Sequence, residues 1–246
     1  MAERRFVVEG PQAVREALDS LVELYVVDPD GPLAVAAAAR GVEVIQVADT
    51  VLAVLGETAA PQGLVGVAPL LTAELPAHPR LVAVLHEVSD PGNAGTVIRT
   101  ADAAGADAVV LTAGSVDPHN GKCVRATAGS LWHLPVVSEA AVEQTLERLR
   151  TEGVQLLATT GAHTKTVDDL DDLADAGELA APTAWLFGTE AHGLPPALLE
   201  QADRRVRIPL RGRAESLNLA TAAAVCLFAS ARAHRHRAGL GHTVWP

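Results

Sequence analysis

The sequence predicts an α/β fold in two blocks, a small one followed by a larger one with a mostly parallel sheet covered on both faces. Three observations carry that expectation. Short β-branched runs alternate with alanine-rich helical stretches almost throughout, a stretch containing Pro76 and Pro79 interrupts them, and a continuous apolar run from Leu81 to Val88 opens the second block. The expected divisions are residues 1–70, a linker over 71–80, and residues 81–246.

In the first block, strand Phe6-Val7-Val8 leads to a helix over Pro11–Leu18, a strand over Leu24–Val27, a helix over Leu33–Arg40, a strand over Val42–Val47, a helix over Thr50–Gly56 and a strand over Leu64–Ala68. In the second, the buried strand Leu81–Val88 passes into a helix over Ala94–Ala104, then a strand over Ala108–Leu111 and a helix around Lys122–Gly129. Strand Pro135–Val137, helix Glu139–Glu152, and strands Val154–Thr159 and Thr183–Phe187 follow. Helix Pro195–Ala202, strand Arg205–Pro209 and a long helix Leu217–Ala233 complete the pattern. In such a sheet, ligands bind in loops beyond the carboxyl ends of the strands.

With 246 residues, 49% of them hydrophobic, the chain is long enough for one large core and a small second one. No apolar run reaches the roughly 18 residues that span a bilayer, and the opening MAERRFVVEG has no apolar signal region, so a cytoplasmic protein is expected. Cys123 and Cys226 lie far apart and outside any metal-ligand spacing, so no metal is expected and both thiols should be reduced. The net charge of -11 argues against a nucleic-acid partner unless positive charge is concentrated locally. Five arginines from Arg204 to Arg213 form one such cluster, and Arg232 to Arg237 form another, while acid collects between Asp168 and Glu178.

Three loops carry polar residues where a site is expected. The first runs from Ser89 through Asn93 and Gly95 to Arg99; Asn93 is placed to cap the helix, and Arg99 stands in an otherwise small and apolar helix that gives no structural reason for it. The G-x-G-x-x-G spacing is missing and no acidic ribose ligand closes the next strand, which disfavours a nicotinamide-dependent oxidoreductase. The second loop sets Glu190 between Gly188 and Gly193; its His192 is read as a loop hydrogen-bonder rather than a catalyst. In the third, Ile208-Pro209 precedes Arg211 and Arg213, and Ser216-Leu217-Asn218 opens the long helix, with Ser216 expected as its cap and free backbone N–H groups suited to an acceptor-rich ligand.

These loops, in this order and spacing, resemble the three motifs of the SpoU or TrmH-like family of RNA ribose methyltransferases, within the SPOUT superfamily. Asn93, Gly95, Arg99 and Thr100-Ala101 match the first motif, Gly188-Thr189-Glu190 with Gly193-Leu194 the second, and Ser216-Leu217-Asn218 after Ile208-Pro209 the third. Lys122-Cys123-Val124-Arg125-Ala126 with Gly129 and Leu134-Pro135 is similar to the intervening segment, and the likeness covers residues 80 to 246. Phe6-Val7-Val8-Glu9-Gly10 and Pro61-Gln62-Gly63 resemble the family's N-terminal substrate-binding domain, a fold related to a ribosomal-protein RNA binder. One departure is Ala220, where many members carry serine.

The resemblance implies a trefoil knot in the C-terminal domain, a homodimer, and 2'-O-methylation of RNA, 23S rRNA before tRNA, with S-adenosylmethionine as cosubstrate. It places Gly188, Ile208, Leu217 and Asn218 against the cofactor and gives the reaction site to Asn93, Arg99, Glu190, Ser216 and Asn218. Lys122, Arg125, Arg211 and Arg213 are the expected RNA contacts. A catalytically silent RNA-binding or ribosome-assembly factor of the same fold is the alternative, which the full set of polar motif residues disfavours.

Overall fold

The computed structural model describes residues 4–56, 62–161 and 167–237. Its N-terminal unit holds β1 (Arg5–Glu9), α1 (Pro11–Ala17), β2 (Glu23–Val26), α2 (Pro32–Ala38), β3 (Glu43–Gln46), α3 (Asp49–Leu55) and β4 (Leu64–Pro69). The strands pair in the order β1-β4-β2-β3, antiparallel to β4 and parallel between β2 and β3. Prolines open α1 and α2, where the missing N–H costs nothing.

The larger unit continues with β5 (Leu81–Leu85), α4 (Pro91–Ala103), β6 (Ala108–Thr112), α5 (Gly121–Thr127), β7 (Val136–Ala140), α6 (Val142–Thr151) and β8 (Gln155–Thr159). Then come β9 (Asp168–Asp169), α7 (Leu170–Asp175), β10 (Thr183–Phe187), α8 (Pro196–Gln201), β11 (Arg204–Arg207) and α9 (Leu219–Arg237). Among the described residues this sheet has seven strands in the order β7-β6-β5-β10-β8-β11-β9, every neighbouring pair parallel. Strands β5, β6 and β10 are buried from end to end, as their unbroken apolar runs require. Alternate residues go to opposite faces. Leu85, Trp185 and Phe187 join a core with α4, α5 and α9, while Val84 and Leu186 pack with Leu146 and Leu149 of α6.

The structure moves several boundaries. Helix α4 starts three residues earlier than expected, with Pro91 at its first position and Asp90 as its cap: Asp90 Oδ1 accepts from the Asn93 N–H at 2.7 Å. Asn93 is therefore the third residue of the helix, and its side chain is released for other contacts. Helix α9 starts two residues later than expected, capped by Asn218, whose Oδ1 accepts from the N–H groups of Ala220 (2.9 Å) and Thr221 (3.4 Å). Ser216 does not cap it. Strand β7 extends to Ala140, so α6 starts at Val142 and not at Glu139.

The two units share one continuous core. Phe6 packs its ring against His119 (centroids 4.7 Å) and Trp132 (6.0 Å), and His119 Nε2 accepts the Leu71 N–H at 3.0 Å, tying the connecting segment down. Both cysteines are buried free thiols, and burial pushes the Cys123 thiol up to about 12.

Candidate active site

Strands β5 and β10 are neighbours in register, Leu85 opposite Phe187, and the His86 N–H donates to the Phe187 carbonyl at 2.8 Å. The first and second loops thus leave the sheet side by side. The second closes on itself: the backbones of Thr189 and Gly193 exchange hydrogen bonds at 2.8 and 3.1 Å, and the His192 N–H donates to Thr189 Oγ1 at 3.2 Å. Gly193 takes a φ of +67°, and a Cβ on Gly188 would sit 2.1–2.3 Å from the Gly193 and Leu194 backbone. Any side chain at Gly188 would force this turn open. Glu190 is exposed on the turn.

The carboxylate reaches across to the first loop, where Asn93 Nδ2 donates to Glu190 Oε1 at 2.5 Å. The third loop joins them, since Asn218 Nδ2 donates to Asn93 Oδ1 at 3.1 Å. The Asn218 amide therefore works at both ends, its oxygen holding the first turn of α9 and its nitrogen holding Asn93. Residues 97 and 125 positions apart form one hydrogen-bonded chain at the strand ends. Glu190 is thus the acceptor that orients Asn93. Asp90 supports the same turn of α4; its carboxyl is held below the usual range by the Asn93 N–H and then by Lys122 Nζ at 3.2 Å. The pattern Asp-Pro ahead of a helix was the signal that could have identified Asp90 as the cap.

Arg99 lies nearly two turns along α4 from Asn93, exposed, with no hydrogen bond or ion pair to any described residue. Ser216 is also exposed and outside the hydrogen-bonded chain. Ile208 and Leu217 are half-buried at the two ends of an extended, irregular segment. Between them, the backbone groups of residues 210–217 make no hydrogen bond to another described residue. Accessible main-chain donors and acceptors, a glycine that leaves room for close backbone approach, and two apolar side chains suit a nucleoside-bearing cofactor.

The expected RNA contacts divide. Arg125 Nη1 is 2.7 Å from Glu9, a buried carboxylate at the end of β1, so it joins the two units. Lys122 is on Asp90, and Arg211 is 3.1 Å from Asp171 on the surface. Arg213 is exposed without a partner among the described residues. The basic run that starts on β11 is likewise taken up by the acidic segment: Arg204 pairs with Asp168 (3.4 Å) and Glu178 (2.5 Å), and Arg207 clamps Asp169 with two nitrogens. The expected basic patch is for the most part an internal neutralisation of the acid over residues 168–178. In the second basic run, the side chains of His236 and Arg237 lie outside the described residues.

Comparison with known proteins identifies the family. The profile of the SpoU rRNA Methylase family matches residues 80–228, and that of the MRM3-like substrate binding domain matches residues 1–66. The chain is 35% identical over 228 residues to the 23S rRNA (guanosine(2553)-2'-O)-methyltransferase RlmP of Bacillus subtilis, covering 91% of this chain and 87% of that one. Its structure is similar to that of an AdoMet-bound rRNA methyltransferase from Sinorhizobium meliloti, with a TM-score of 0.81 and 34% identity over 93% of this chain and 87% of that one. It also resembles the SpoU methyltransferase AviRb of Streptomyces viridochromogenes, with a TM-score of 0.80 and 26% identity over 95% and 91% of the two chains. By its matched domain and its relatives, the protein belongs to the SpoU rRNA Methylase family.

Proposed function

We propose that the protein transfers a methyl group from S-adenosylmethionine to a ribose 2'-oxygen in structured RNA, with 23S rRNA as the substrate. The observation that carries this reading is the Glu190–Asn93–Asn218 chain at the ends of β5 and β10, beside a segment with unengaged backbone groups. Gly188, Ile208, Leu217 and Asn218 would hold the cofactor. Bound there, it would supply an electrophilic methyl group; transfer would form the ribose O–CH3 bond as the S–CH3 bond breaks, leave S-adenosylhomocysteine, and release the 2'-hydroxyl proton to the substrate's phosphate or to solvent. Asn93, fixed at both ends of its amide, presents a preorganised polar group to the acceptor. Arg99 is a donor-only group at physiological pH, so it holds the nucleotide's phosphate or hydroxyl and stabilises the developing alkoxide. Ser216 and Asn218 position cofactor and acceptor.

Residues 1–70 form the RNA-binding domain in this reading, 71–80 the linker and 81–246 the catalytic domain. The placement of β10 between β5 and β8, followed by β11 beyond β8 and the return of α9 to α4, supports a trefoil knot. A homodimer is supported by α9, where Thr221, Val225, Phe228 and Arg232 form an exposed stripe at helical spacing and Phe228 is 49% exposed. No helix among the described residues is long and apolar enough to cross a membrane; in this reading an enzyme acting on rRNA would work in the cytoplasm. In vitro-transcribed 23S rRNA incubated with the protein and isotopically labelled S-adenosylmethionine acquires label at one ribose, and Asn93→Ala loses it. Absence of label, together with absence of cofactor binding by calorimetry, overturns the reading.

A further inference from the structure

We propose that His133 is a proton-dependent tie between the N-terminal unit and helix α4, a positioning residue for RNA engagement; the proposal rests on the methyltransferase reading above. His133 follows the 3-10 turn Ser130–Trp132, and its ring stands between two carboxylates from different units. Nδ1 is 2.7 Å from Asp102 Oδ2 on α4, and Nε2 is 3.2 Å from Glu16 Oε2 on α1. An ionised carboxylate only accepts, and a neutral imidazole carries a single N–H. Both contacts therefore exist together only in the imidazolium, and a neutral ring must release one carboxylate.

Glu16 is seated for this contact. A Cβ on Gly129 would come within 2.4 Å of Glu16 Cγ, and Gly129 takes a φ of +103°, so the glycine leaves the notch that the Glu16 stem fills. The other oxygen of Glu16 accepts from Gln12 Nε2 at 3.3 Å, and Arg15 is turned to Gln12, not to the imidazole. The charged groups acting on the ring are thus Asp102 from α4 and Glu16 from α1; its own turn carries none. The hydrogen bond to Asp102 raises the affinity of His133 for its proton above the ordinary histidine value; burial opposes it, and the hydrogen bond to Glu16 adds to the rise.

Asp102 lies three residues beyond Arg99, one turn along the same helix. The tie therefore links the unit matched to a substrate-binding domain with the helix that carries Arg99 and Asn93. A group whose folded-state proton affinity is raised stabilises the fold fully below its unfolded value, about pH 6.5, and loses that contribution as pH rises through the folded value. Over that window the first unit loses one of its fixed points on α4, and RNA that touches both units binds less tightly. The Glu9–Arg125 pair and the shared core persist, so the cofactor and the chemical step are untouched.

Two measurements test this. The first is an NMR titration of the His133 ring in the wild type, Glu16→Gln and Asp102→Asn, with the wild-type midpoint above the ordinary value and both variants lower. The second is KM for in vitro-transcribed 23S rRNA between about pH 6 and pH 9, which rises about two- to fivefold in the wild type, the range of a partly exposed ion pair. His133→Gln keeps the high value at every pH, with S-adenosylmethionine affinity unchanged. The proposal is overturned by an ordinary His133 midpoint that neither variant moves, or by a wild-type KM profile in His133→Gln. If no RNA is methylated, the function reading fails while the titration still decides the tie.

Discussion

Arg99 on α4 and Arg207 on β11 carry the same group in opposite circumstances. Arg207 meets Asp169 through two nitrogens in a parallel strand pair, and Arg204 beside it meets Asp168 and Glu178. Arg99 projects from a helix whose buried face is Ala94, Val97, Ile98 and Ala101, and no described carboxylate answers it. A guanidinium that finds its anion within the fold has spent its charge on architecture; one left without a carboxylate on α4 is, in the proposed reading, free for an anion that arrives with a substrate. Charge counted along the chain misses this distinction.

The comparison breaks most visibly at Arg99. Arg99→Ala lowers single-turnover methyl transfer by about a hundredfold or more, the scale of removing a preorganised donor, while melting temperature and cofactor affinity stay near the wild type. Arg99→Lys remains severely impaired, because a compact ammonium does not reproduce a planar two-point contact. Loss of stability in parallel with activity, restored by lysine, would make Arg99 a brace like Arg207. Asn218→Ala falls between the two regions, since one amide serves the helix and the site. It costs about 1 kcal/mol of stability as a lost cap and lowers turnover as well; thermal unfolding and rate measured on one preparation check the pairing, and an effect on only one of them refutes it. The smallest effect is at Arg207→Ala, which lowers the melting temperature slightly, less so in high salt, with turnover unchanged. A fall in RNA affinity at constant stability would move Arg207 to the functional side of the comparison.

What was legible in the sequence follows the same line. Buried strands announce themselves by composition, and β5, β6 and β10 fall where their apolar runs lie. Strand β9 is two aspartates, which no periodicity marks as a strand; it forms because Val206 and Arg207 stand beside it. Asn93, Glu190 and Asn218 were identifiable by their motif resemblance, but their mutual hydrogen bonds were not. Both misplaced caps had a competing polar residue within three positions, Asp90 against Asn93 and Asn218 against Ser216, and tertiary contacts chose between them. Arg125 read as an RNA contact because Glu9 is 116 residues away in the chain, and His133 carried no local signal at all.

The sheet order has a consequence for how the chain is made. Strand β10 lies between β5 and β8, each earlier in the chain, and just over one hundred residues separate Leu85 from its neighbour Phe187. The middle of the sheet therefore closes late. On the ribosome, β5, β6 and β7 can associate while the edge of β5 that receives β10 is still open, an apolar strand with unpaired backbone groups. Pairing across so long a loop is slow. A growing chain thus exposes that edge for many seconds of synthesis, and folding yield should depend on how well the edge is shielded until Phe187 emerges.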